Sequence, residues 1–207
     1  MLPNSNNYEI LYKSITQKLS NCDFSEIAPR LGFELPIDNT LTMCFVGREF
    51  KINQFGVFAS DGMPSDPNIR STIIYYVTSK GCGEPSYSYK SPHAFIHSST
   101  TGAKMELEWM TSPLIRKYKN DIYGLGAILH KIGADYDNKP NNGIHKWTYR
   151  VLPKIPMQII FMEADDEFPC EINLMLDENA DKFMEFEQLA FLCGCFVKSI
   201  LILEKLT

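Results

Sequence analysis

Near the end of the chain, Phe186, Leu189, Cys193, Phe196, Val197, Ile200 and Leu203 recur at intervals of three and four residues. That spacing lays one wide apolar stripe along an α-helix, and such a stripe has to be covered. The segments just before it can supply the cover. "HKWTYRVLP" alternates like a strand, "IPMQIIFM" reads as a fully buried strand, and "INLML" follows as a third. Helices bracket these strands with no regular strand–helix alternation and no internal repeat. The pattern predicts an α+β fold, a mixed or antiparallel sheet packed against several helices with a long C-terminal helix, rather than a doubly wound sheet. The strands of the C-terminal half are expected to be adjacent and antiparallel. Gly194 and Lys198 interrupt the apolar run, which falls short of the roughly 20 residues that span a bilayer, so it reads as a buried helix.

The remaining elements follow from local signals. Tyr8, Leu11, Tyr12, Ile15 and Leu19 mark an amphipathic first helix. Ser25 is the expected N-cap of "SEIAPRLG", with Gly32 as its stop. "TLTMCFVGREFKINQFGVFA" predicts two or three short strands turning at Gly47 and Gly56. Asp66 and Pro67 open a helix expected to run to Gly81, with Ile69, Ile73, Tyr76 and Val77 facing inward. "GCGEPSYSYKSPHAFIHSSTTG" reads as a loop suited to function. Two further helices are expected, "AKMELEWM" continuing past Pro113, and "DIYGLGAILHKIG" ending at Gly133.

At 207 residues the chain can bury a core without staples, and one globular domain, 1–207, is expected. Residues 1–35 would form its N-terminal helical segment, and 40–207 its main body. The net charge of −5, with scattered Lys and Arg, argues against nonspecific binding of nucleic acid or of a membrane surface. The N-terminus lacks a basic start and an unbroken apolar run, so a cytoplasmic location is expected. Six cysteines without a C-x-x-C pair are expected to be reduced thiols, and the missing pair counts against a zinc ribbon or a self-contained iron–sulfur ligand set.

The densest chemistry is "EADDEFPCE", Glu163 to Glu171, with five carboxylates in nine residues. If the segment after the turn is extended, Phe168, Cys170, Ile172, Leu174 and Leu176 share the core face, while Glu167, Glu171, Asn173 and Asp177 share the polar one. Along a strand rising about 3.3 Å per residue, Glu167 and Glu171 stand roughly 13 Å apart, too far to hold one cation together. Either the stretch is a solvated connection between strands, or Asp166, Glu167, Glu171, Asn173 and Asp177 form the polar wall of a ligand cleft. His93 and His97, in "HAFIH", have the i to i+4 spacing of two metal ligands on a helix, but Ala94 stands where a zinc protease carries Glu. Cys82 lies between two glycines, where a tight turn is the plainer reading. Tyr75, Tyr76, Tyr87, Tyr89, Trp109 and Trp147 either line a pocket or fill core.

"FVGREFKI", "IIYYVTSKGCGEP" and the segment Leu152 to Gly194 together resemble the DUF3786 "domain of unknown function" proteins of anaerobic bacteria and archaea. Their hallmark is an acidic turn ending E-F-P, then a strand, D-x-N/S-A and a final helix. Asp166, Glu167, Phe168 and Pro169 match the turn, followed by Asn173, Asp177 and Ala180. The resemblance covers the chain from about Thr40 and implies an accessory role in anaerobic redox, one-carbon or corrinoid metabolism. This chain lacks the iron–sulfur module that some relatives carry, and no catalytic residue is carried over. The expectation is therefore a binding or accessory protein with a protein partner or small-molecule ligand and no identified cofactor. The alternative is a metal-assisted enzyme using the acidic turn and the His93/His97 loop.

Overall fold

The computed structural model describes residues 5–96, 110–137 and 143–205. Helix α1 (Ser5–Thr16) runs into a short 3-10 segment and then α2 (Phe24–Leu31). The cap of α2 is Asp23, whose carboxylate accepts from the N–H groups of Ser25 at 2.9 Å and Glu26 at 3.3 Å. The expected cap, Ser25, therefore sits inside the first turn, because a carboxylate two residues earlier already reaches both free donors. Gly32 ends the helix at φ 78°, as expected.

Strands β1 (Leu41–Phe45), β2 (Arg48–Asn53) and β3 (Gly56–Ala59) form an antiparallel sheet in chain order. Phe45 pairs with Arg48, so Val46 and Gly47 make a two-residue turn with φ of 48° and 75°. Positive φ is costly for a β-branched residue. Val46 is held there by its buried N–H, which donates to the Tyr149 hydroxyl at 2.9 Å, and this bond ties the small sheet to the large one.

Helix α3 (Pro67–Val77) starts as predicted, with Asp66 accepting from the Asn68 N–H at 2.9 Å. Asp66 also pairs with Lys198 of the C-terminal helix. The helix stops at Val77, short of Gly81, where the Thr78 hydroxyl donates to the Ile74 carbonyl at 2.8 Å. Ile69, Ile73, Tyr76 and Val77 are buried, and so are Ser71, Thr72 and Ile74. The helix is enclosed because α1 covers one side and the C-terminal helix another.

The second sheet runs in the order β4-β8-β7-β6-β5, all neighbours antiparallel. Its strands are β4 (Tyr89–Lys90), β5 (Asp135–Tyr136), β6 (Ile144–Leu152), β7 (Ile155–Met162) and β8 (Glu171–Asp177). Trp147, Tyr149 and Val151, Met157, Ile159 and Phe161, and Ile172, Leu174 and Leu176 make the buried face. β7, expected to be buried throughout, instead alternates, with Gln158, Ile160 and Met162 only half-buried on the opposite face. Helices α4 (Ser112–Tyr118), α5 (Ile122–Lys131) and α6 (Phe186–Lys205) complete the fold. Asp121 caps α5 by accepting from the Gly124 N–H at 2.8 Å. α6 is long and apolar enough to cross a membrane by length and composition. Here Leu189, Cys193, Phe196, Val197 and Ile200 enter the core, with the Phe196 ring 6.0 Å from that of Tyr149. All six cysteines are free thiols. The expected helix through Trp109 lies outside the described residues before Met110.

Candidate functional site

After β4 the chain makes a 3-10 turn, Pro92–Phe95. Pro92 presets φ for the first position. The Ser91 hydroxyl accepts from the His93 N–H at 3.4 Å, and Phe95 anchors the turn at 1% exposure, with Lys90 Nζ 4.0 Å above its ring. This places His93 beside β8 and α6. A cleft of about 110 Å³ lies here, lined by Ser91 and His93, by Met110 and Thr111 ahead of α4, by Asn173 of β8 and by Cys193 of α6. Among the described residues His93 Nδ1, buried there, has no hydrogen-bond partner. A buried unpaired polar atom of this kind costs about 1–3 kcal/mol.

Among the described residues lining the cleft there is no Lys, Arg, Asp or Glu. Burial, reinforced by the neighbouring Cys195, pushes the Cys193 thiol up to about 12, so it lines the cleft as a neutral group and not as a thiolate. The site can give and accept hydrogen bonds through His93, Asn173, Thr111 and Ser91 within a partly apolar wall. Its described lining has no Lys or Arg to offer a phosphate or a carboxylate.

The sequence candidates are thus divided. His93 and Asn173, chosen for unrelated reasons, line one cleft. Asn173 also donates to Glu171 at 3.3 Å. His97 lies outside the described residues. Asp166 and Glu167 are exposed in the turn before β8, which is organised by Asp165. Its carboxylate accepts from the N–H groups of Glu167 at 2.8 Å and Phe168 at 2.7 Å, and these bonds hold it below its ordinary pKa. The turn swings Phe168 out to 65% exposure, contrary to the expectation that it shares the core face. Cys170, Ile172, Leu174 and Leu176 are buried as expected.

At the other end of β8, six residues and about 20 Å from Glu171, Asp177 is fully buried. The polar face expected to be open is closed over it. Its carboxylate accepts from the Tyr87 N–H at 2.6 Å, the Ser86 hydroxyl at 3.2 Å and the Asn179 N–H at 2.9 Å. Tyr87 is held at φ 57°, and its hydroxyl accepts from Arg150 at 2.8 Å. The Gly-rich loop is pinned elsewhere too, by Arg30 donating to the Gly81 carbonyl at 2.6 Å and by Lys154 paired with Glu84 at 2.5 Å. Among the described residues no group of three or more His, Cys, Asp or Glu side chains is placed to hold a metal.

Of the aromatic residues that could either line a pocket or fill core, Tyr76 is core; its hydroxyl donates to the Leu31 carbonyl at 2.7 Å and accepts from the Lys154 N–H at 2.9 Å. Met110, Thr111 and Cys193 were not legible as site residues, since their convergence depends on packing between segments far apart in the chain.

A family model described as "Domain of unknown function (DUF3786)" matches residues 23–199. The match begins before Thr40 and takes in α2. No curated protein and no solved structure matches the chain.

Proposed function

The chain belongs to the DUF3786 family, and on that footing we propose that it is a binding or accessory module whose ligand occupies the cleft between the Pro92–Phe95 turn, β8 and α6. The observation that carries this reading is the buried Nδ1 of His93, without a partner among the described residues, on a cleft that also holds Ser91, Thr111 and Asn173. A ligand that bonds to Nδ1 recovers the cost of leaving it bare.

Size narrows the ligand. Pockets for drug-sized molecules hold about 300–1,000 Å³, and 110 Å³ corresponds to three or four waters at about 30 Å³ each. The occupant is a neutral, hydrogen-bonding group of a few heavy atoms, either a small molecule or one side chain of a protein partner. A corrinoid does not fit, so a role in corrinoid or one-carbon metabolism would be exercised through such a partner. The proposal keeps the protein in the cytoplasm.

The test is titration of the full chain, ¹⁵N-labelled at histidine, with acetamide and urea as neutral probes, followed through the His93 ring nitrogens. The expected result is a saturable shift at Nδ1 that disappears in folded Asn173→Ala. If Nδ1 does not respond to either probe in the folded parent, the cleft assignment is wrong.

A further inference from the structure

At the rim of the second sheet, on the face that carries Trp147 and Phe161, cross-strand register brings together three groups with no part in the cleft. Tyr136 pairs with Trp147, which puts it diagonal to His145. His145 pairs with Phe161, which puts it diagonal to Glu163. Diagonal neighbours on one face lie about 7–8 Å apart, within reach of long or aromatic side chains. Here they bond in series: Tyr136 Oη to His145 Nδ1 at 3.0 Å, and His145 Nε2 to Glu163 Oε1 at 2.8 Å. The imidazole packs near-parallel to the Tyr136 and Trp147 rings, each centroid 6.2 Å away, with Phe161 edge-on at the same distance. The Glu163 N–H also donates to the Gly143 carbonyl at 2.9 Å, which fixes the carboxylate-bearing strand end.

The donors can be assigned by elimination. An ionised Glu163 only accepts, so Nε2 carries a proton; when the ring holds that proton alone, Nδ1 accepts and the Tyr136 hydroxyl donates to it. A nucleophile bonded to a base that is itself oriented by a third group is the general arrangement of an activated hydroxyl. We infer that Tyr136, His145 and Glu163 form a reactive tyrosine site that accepts acyl groups from activated esters.

In the step this entails, Tyr136 Oη bonds to the acyl carbon as its proton passes to His145 Nδ1. The ester C–O bond then breaks, and the leaving oxygen takes that proton. The products are an O-acyl tyrosine and the free alcohol or phenol, with no oxidant or further reactant. Glu163 is a positioning residue, holding the tautomer that leaves Nδ1 open as the base.

The molecule contains its own control. Tyr123 is 88% exposed and Tyr136 only 38%, so labelling governed by access alone modifies Tyr123 first. The full chain is treated with p-nitrophenyl acetate, and O-acetylation at each tyrosine is followed by peptide mass spectrometry. With the base engaged, Tyr136 is expected to be acetylated about 10²-fold faster than Tyr123, the lower range of general-base assistance. His145→Gln and Glu163→Gln are expected to bring the two rates together. Tyr123 reacting as fast as Tyr136 in the parent chain would overturn the inference without reference to any variant, and so would an unchanged rate ratio in folded His145→Gln.

Discussion

Replacing Asp177 by Asn tests whether this carboxylate organises the loop before β4 or is free to serve a ligand. Its oxygens are already divided, Oδ2 accepting from the Tyr87 N–H and the Ser86 hydroxyl, and Oδ1 from the Asn179 N–H. An amide keeps one oxygen. Whichever way it turns, an NH₂ group faces either the Tyr87 or the Asn179 N–H, and one charge-assisted bond worth about 1.5–3 kcal/mol is lost. A chain of this length loses about 2–4 °C of Tm per kcal/mol, so Asp177→Asn should lower Tm by about 3–12 °C. The effect should be local as well, because Tyr87 sits at φ 57°, a conformation held only by its surroundings. Thermal unfolding followed by circular dichroism, with amide exchange at Tyr87, reads both. A Tm equal to that of the parent, with Tyr87 exchange unchanged, would refute the argument and return Asp177 to the pool of ligand-binding candidates.

Other substitutions probe the links between layers. Tyr149→Phe strips the acceptor from the buried Val46 N–H and should cost about 1–3 kcal/mol, read as a shift in urea midpoint. In Gly81→Ala the new Cβ would lie 2.5 Å from the Lys182 carbonyl oxygen, and about 1–3 kcal/mol of overpacking is expected, with native stability arguing that the loop moves freely. Alkaline pH should weaken the fold. Burial pushes the Tyr149 hydroxyl and the Cys195 thiol up to about 12, as it does Cys193, and raises Tyr76 further. The folded chain therefore keeps protons that the unfolded chain releases from its ordinary thiol and phenol values, 9.0 and 10.0. Stability is full below pH 9 and falls as pH rises toward 12, and urea midpoints that stay flat across that window would contradict the burial of these groups.

Periodicity and capping made the helices and strands legible because both are local. The stripe from Leu189 to Ile200 specifies α6, and Asp66 with Pro67 specifies the start of α3, whatever they pack against. The alternation of Cys170, Ile172, Leu174 and Leu176 gave the buried face of β8 for the same reason. The sites depend on contacts that no local pattern contains. Asp177 reads as an outward polar residue on β8, yet it is buried because a loop some ninety residues earlier in the chain folds over it. Phe168 belongs to the core face by alternation, and the Asp165 turn removes it before the strand begins. His93 and Asn173 are polar residues on separate segments until the Pro92–Phe95 turn packs between β8 and α6. Tyr136, His145 and Glu163 meet only when two strand registers are fixed, and a shift of one residue in either would send them to opposite faces. Sequence determined the elements and the faces they bury, because backbone period and side-chain polarity act within a few residues. The tertiary structure alone decided which polar groups meet and which are closed off from water, because both depend on distant segments packing at fixed register.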